Sequence, residues 1–149
     1  MTLAARLPYA KLAPKAFKAM LDLSGAVHDR LGARLVDLVF LRVSQINGCA
    51  FCIDMHWRDL IRQEVDPRHL NAVAGWREAP FFSERERAAL EWAEVVTSIP
   101  HGDPSDELFE KLRRLFSEEE IADLGFAISA INGWNLLNVS FRTPLPENP

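Results

Sequence analysis

An all-α fold of about six to seven helices is predicted by three features of the chain. Apolar residues recur at helical spacing in one segment after another. Two of those segments open on Ser-x-x-Glu capping signals. No short alternating apolar run is bounded on both sides by turn residues, as a strand would be. At 149 residues, with short connections throughout, a single domain over 1–149 is expected, long enough to bury a real core.

The elements follow in order. Leu35, Val36, Val39, Phe40, Val43 and Ile46 form one helical stripe, and Asn47-Gly48 interrupts it as a turn signal. Residues 49–64 resume the helical pattern with Phe51, Ile53, Met55, Leu60 and Ile61. Asp66-Pro67 reads as a cap followed by proline at the first helical position, opening a short helix to about Ala74. Ser83-Glu84-Arg85-Glu86 is a capping box, and its helix runs to about Ser98, before Pro100. Asp103-Pro104 starts the next helix, which carries Leu108, Leu112 and Leu115. A second capping box, Ser117-Glu118-Glu119-Glu120, launches Ile121, Leu124, Ile128, Ile131 and Leu136 towards about Phe141.

Composition narrows the function. The formal net charge is −4 and the cations are interleaved with acids, as in Glu84-Arg85-Glu86-Arg87, so no basic face for nucleic acid is expected. Apolar runs such as Leu38 to Leu41 are far below the roughly 20 residues that span a bilayer, so no membrane association is expected. The N-terminal stretch has no signal-peptide pattern, and a cytoplasmic location is the expectation.

The two cysteines, Cys49 and Cys52, stand three apart, with His56 four further on. A bridge between them closes only a tiny loop and cannot staple a fold, so the pair reads as reactive or metal-binding. Cys52 and His56 share a helix face. Cys49 falls at the helix N-terminus, where free N–H groups favour a thiolate. Asp37 lies about as far before the Asn47-Gly48 break as His56 lies after it, so a hydrogen bond between them is feasible. A carboxylate in so apolar a helix needs a partner. Thiol, base and orienting carboxylate are the parts of an activated nucleophile, and a second thiol nearby can resolve a sulfenic acid into a disulfide. The dipole favours Cys49 as the more acidic thiol and proximity to His56 favours Cys52. Two buried small hydrophobes, or a zinc site of Cys49, Cys52 and His56 needing a fourth ligand, are the competing readings. His28, His69 and His101 are isolated and read as surface or capping residues. Trp57, Trp76 and Trp92 read as core or interface, and Trp134-Asn135 as packing with a helix–helix hydrogen bond.

Residues Asp37 to Trp57, with Gln45-Ile46-Asn47-Gly48-Cys49 and Cys52-Ile53-Asp54-Met55-His56, resemble the alkylhydroperoxidase D (AhpD)-like branch of the carboxymuconolactone decarboxylase superfamily. Glu84 to Leu90, the His101-Gly102-Asp103-Pro104 turn, Ile131-Asn132-Gly133-Trp134-Asn135 and Phe141-Arg142-Thr143-Pro144 extend the likeness over nearly the whole chain. The resemblance implies an AhpD-like helical bundle, assembled as a homo-oligomer, a trimer or a hexamer. It implies a thiol-dependent hydroperoxide reductase without metal or other cofactor, in which Cys52 attacks peroxide, Cys49 resolves it, and His56 with Asp37 relays protons. The implied electron donor is a thiol or a lipoyl-bearing partner. Two positions depart from the family: Asp37 stands where it has glutamate, and Phe51 where its peroxidases have histidine. A disulfide reductase, or a redox-sensing or zinc-binding oligomer, is the alternative.

Overall fold

The central helix, α3 (Ala33–Asn47), is apolar nearly all round and is accordingly buried on most sides, from Leu35 through Leu41 and again at Val43 and Ser44. It is seen in a computed structural model that describes residues 4–102 and 104–147. Before it come the short α1 (Tyr9–Leu12) and α2 (Pro14–Leu31), the latter opening with Pro14 in its first turn. After it come α4 (Ala50–Arg62), α5 (Pro67–Asn71), a 3-10 turn (Val73–Gly75), α6 (Glu84–Thr97), α7 (Asp106–Leu115) and α8 (Glu118–Ser140). The all-α bundle is as predicted, with eight α-helices and no strand among the described residues.

Helix boundaries follow the capping chemistry. Ser83 and Ser117 both form complete capping boxes, with Glu86 and Glu120 reaching back to the cap N–H groups. Asp66 caps α5, which is shorter than expected, ending at Asn71 where the chain tightens into the 3-10 turn. The start of α7 also differs. Ser105 is its N-cap, accepting from Leu108 N–H, whereas Asp103 lies outside the described residues.

Two apolar cores share α3. Val36, Val39 and Val43 pack with Val27 of α2, Ala89 of α6, Leu112 of α7 and Leu124, Ile128 and Ile131 of α8. Leu38 and Leu41 point the other way, against Leu60, Leu70, Val73 and Trp76. Three of the alternating charges at the start of α6 are used separately. Arg85 pairs with Glu120, Glu86 with Arg34, and Arg87 donates to the carbonyls of Trp76, Arg77 and Ala79.

The α3–α4 turn places the cysteines. Gly48 adopts the left-handed conformation (φ 67°) that glycine takes without steric cost. Gly48 N–H returns to Gln45 O and Cys49 N–H to Ser44 O, the paired closure of a Schellman motif. Cys49 follows at once as N-cap of α4.

Candidate functional site

Cys49 Sγ accepts from Cys52 N–H at 3.3 Å, so the first cysteine serves as the helix cap while the second sits in the first turn. The two are joined as a disulfide, and both are buried. His56, one turn beyond Cys52, is also buried and meets the Phe40 ring edge-on, 5.0 Å between centroids. Among the described residues, neither ring nitrogen of His56 has a hydrogen-bond partner. For a side chain only 5% exposed, that is an unmet demand for a proton donor or acceptor.

Asp37 is buried near His56, but the direct hydrogen bond that their spacing makes feasible is not formed. His56 Nδ1 stands 3.7 Å from Asp37 Oδ1, too far for one. The carboxylate is held instead by two groups that sequence reasoning did not select. His28 Nε2 lies 2.9 Å from Oδ1, and Gln63 Nε2 donates to Oδ2 at 2.6 Å. His28 is therefore not the isolated surface or capping residue predicted. It is half-buried, one turn before the Gly32 that ends α2, and so meets Asp37 one turn into α3. Burial pushes the Asp37 carboxyl up. The hydrogen bond from His28, the nearby His56 ring, the His28 charge and Gln63 outweigh it and hold the pKa at about 2. The hydrogen bond to Asp37 raises His28, against the opposing pull of burial.

On the other side of the cysteines, Asn138 of α8 directs its Nδ2 at Cys52 Sγ, 3.5 Å away. Its Oδ1 accepts from Tyr9 Oη at 2.9 Å and Thr143 Oγ1 at 2.7 Å. Two donors on the oxygen leave the nitrogen facing the sulfur. Trp134 donates to Ser24 Oγ and Asn135 to Ser44 Oγ, the helix–helix bonds predicted for that pair. Of the other tryptophans, Trp76 is core and Trp57 is exposed. His69 stacks on Phe81, away from the site.

His28, Asp37, His56, Asp59 and Asn138 line one cavity of about 600 Å³, whose remaining wall is mainly apolar and includes Phe40, Phe51, Met55 and Trp134. Cys49 opens instead on a second depression of about 440 Å³. Phe51, Asn138, Thr143 and Pro144 border both. Asp37, His56 and Asp59 bring donor atoms within 4.8 Å of one another, whereas the candidate zinc set of Cys49, Cys52 and His56 is not brought together among the described residues. The former grouping contains neither cysteine, and the Oδ1 of its Asp37 already faces His28 Nε2.

The segment that builds this site has counterparts in known proteins. Residues 14–95 match the model of the carboxymuconolactone decarboxylase family. YdfG of Bacillus subtilis, an uncharacterized protein, is 36% identical over 91% of this chain and 92% of its own length. The uncharacterized YnjA of Escherichia coli is 32% identical over 72% of this chain and 57% of its own. A crystal structure from Agrobacterium tumefaciens, of a protein of unknown function named as a candidate AhpD antioxidant-defence protein, superimposes with a TM-score of 0.90. It is 43% identical, over 96% of this chain and 99% of that one. The matched segment carries Asp37, Cys49, Cys52 and His56 within the same all-α architecture, and the chain belongs to the carboxymuconolactone decarboxylase family as an AhpD-like member.

Proposed function

We propose that the protein is a thiol-dependent hydroperoxide reductase, acting in antioxidant defence through a Cys49–Cys52 dithiol/disulfide cycle. The observation that carries this reading is the pairing of bonded sulfurs at a helix N-terminus with a buried histidine, one turn away, whose two nitrogens have no partner among the described residues. The reduced Cys52 thiol gives its proton to His56. The thiolate, stabilised by the Asn138 N–H, attacks the distal peroxide oxygen, and the O–O bond breaks. His56 returns the proton to the departing alkoxide, leaving an alcohol and a Cys52 sulfenic acid. Cys49 then attacks the Cys52 sulfur, releasing water and forming the disulfide. The dithiol has thereby given two electrons to the peroxide, and an external thiol, dithiol or lipoyl-type donor must return them. The proposal includes assembly as a trimer or hexamer, supported by the exposed Phe126, Leu136 and Val139 on α8 and tested by native mass spectrometry.

The test is intact mass of reduced, metal-free protein after one equivalent of an organic hydroperoxide. Loss of two hydrogens is expected, absent in Cys49→Ser and Cys52→Ser and slowed in His56→Ala. Cys49→Ser should stop at an unresolved, oxidised Cys52. A second reading, disulfide exchange without peroxide reduction, is favoured by the placement of Cys49 on its own depression, away from the relay groups. Thiols that stay reduced beside unconsumed peroxide, yet exchange quickly with a small disulfide, would select it.

A further inference from the structure

The dithiol reading uses Cys49, Cys52, His56 and Asp37, and leaves His28 without a role. We propose that His28 is a positioning residue of this site: an imidazolium at neutral pH that locks Asp37 as a carboxylate and sets the pH at which His56 can accept a proton.

The hydrogen bonds of His28 define its charge. Its Nδ1 lies 2.6 Å from Ser24 O, and a carbonyl can only accept, so that nitrogen carries a proton. Its Nε2 faces Asp37 Oδ1 at 2.9 Å. If Asp37 is ionised, this nitrogen is protonated as well, and the ring is cationic. Asp37 needs such a partner, because among the described residues its only other hydrogen-bond donor is the neutral Gln63 amide and it is 4% exposed. The directions in which the two groups are displaced, His28 up and Asp37 down, agree with an ion pair.

The same Oδ1 is the Asp37 atom nearest His56, so one carboxylate oxygen lies between two imidazoles. The charged groups around them come from several helices. Asp37 belongs to α3, and His56 and Asp59 to α4; Asp59 stands 3.8 Å from His56 Nδ1 and is bonded to Arg62. Tyr9 and Lys11 of α1 line the same cavity, and α8 contributes the uncharged Trp134 and Asn138. With His28 cationic, the Asp37 charge is cancelled where it faces His56. Without that cation His56 sits against uncompensated carboxylates, which favour its protonated form and leave less of it neutral and free to accept the Cys52 proton. Two charges roughly 6 Å apart at an effective dielectric near 20 move a titration by about two pH units, a hundredfold effect on the acid limb.

This inference deepens the dithiol reading, and its first readout stands apart from it. In the reduced full-length protein, histidine ring resonances are followed by NMR as pH is varied, and the pH dependence of Cys52 alkylation by iodoacetamide is measured alongside. His28 should titrate above the ordinary histidine value and drop back in Asp37→Asn. In His28→Gln, which keeps a donor but loses the charge, the His56 midpoint and the acid limb of alkylation should both rise by about two units. His28→Lys should restore them. A purely structural His28 would leave both midpoints in place in His28→Gln, and that result overturns the proposal. An ordinary midpoint for His28 in the unaltered protein overturns it even if the variants do not fold. Failure to consume hydroperoxide, with the ring titrations as expected, removes the peroxidase reading and leaves the role of His28 standing.

Discussion

Asn138 has its amide orientation dictated by its neighbours, and this makes it a test of where the thiolate forms. Tyr9 and Thr143 hydroxyls occupy its oxygen, so the nitrogen is committed to Cys52. Burial raises the Tyr9 pKa and keeps its proton available for that bond. Asn138→Ala should slow Cys52 alkylation at pH 7 about fivefold, the equivalent of one hydrogen bond of roughly 1 kcal/mol, and cost about 1–3 kcal/mol of stability in denaturant titrations. Asp37 gives a second prediction. Its lowered pKa contributes stability that is present above the unfolded value of 3.8 and lost as pH falls through about 2. The raised pKa of His28 contributes stability that is full below 6.5 and lost as pH rises through its folded value. The stability gap between the unaltered protein and Asp37→Asn should therefore be widest between about pH 4 and 6.5, on the order of 2 kcal/mol, and narrow on either side. A gap that does not change with pH would mean the pair is not ionic. Asp37 and His56 were legible because a carboxylate in an apolar stripe and a histidine one turn from a cysteine pair are local anomalies. His28, Gln63 and Asn138 carry no such mark, since each acts across a helix–helix contact. The one usable signal for His28 was Gly32, which sets His28 and Asp37 one turn either side of a break.

Three helices end in the same way, and only one of the three endings is written in glycine. After α3, Gly48 is left-handed and Cys49 N–H returns to Ser44 O. After α4, Glu64 has φ 61° and Val65 N–H returns to Leu60 O. After α8, Arg142 has φ 54° and Thr143 N–H returns to Asn138 O. A side chain in this conformation costs roughly 1–2 kcal/mol relative to glycine. Gly48→Ala should thus destabilise the fold by about 1 kcal/mol, whereas Glu64→Gly should stabilise it by a few tenths to about 1 kcal/mol in thermal or denaturant unfolding. Asn47-Gly48 and both capping boxes could be read from sequence because residue chemistry there matches the backbone required. The endings at Glu64 and Arg142 were unreadable, because tertiary packing imposes a conformation that their own preferences oppose. The closure at Arg142 matters for the site, since it brings Thr143 back onto Asn138.

A dithiol cycle needs a bundle that survives in both redox states, and the distribution of the core meets that need. The buried clusters on either face of α3 contain neither cysteine, and Leu38, Leu41 and Leu60 tie the α3–α4 hairpin together without the bridge. Cys49 and Cys52 close a loop so short that loop-closure entropy assigns the disulfide only about 2 kcal/mol, before any native-state cost is counted. For a domain of this length each kcal/mol moves the melting temperature by about 2–4 °C. Reduction should therefore leave the helical circular dichroism unchanged and lower the Tm by no more than about 8 °C. Cys49→Ser, which removes the bridge but keeps a small polar cap at the start of α4, should melt close to the reduced protein. A fall of 20 °C or more, or loss of helicity on reduction, would mean that the bridge staples the bundle. The cysteines would then be structural, and a protein that unfolds each time its dithiol is regenerated could not turn over.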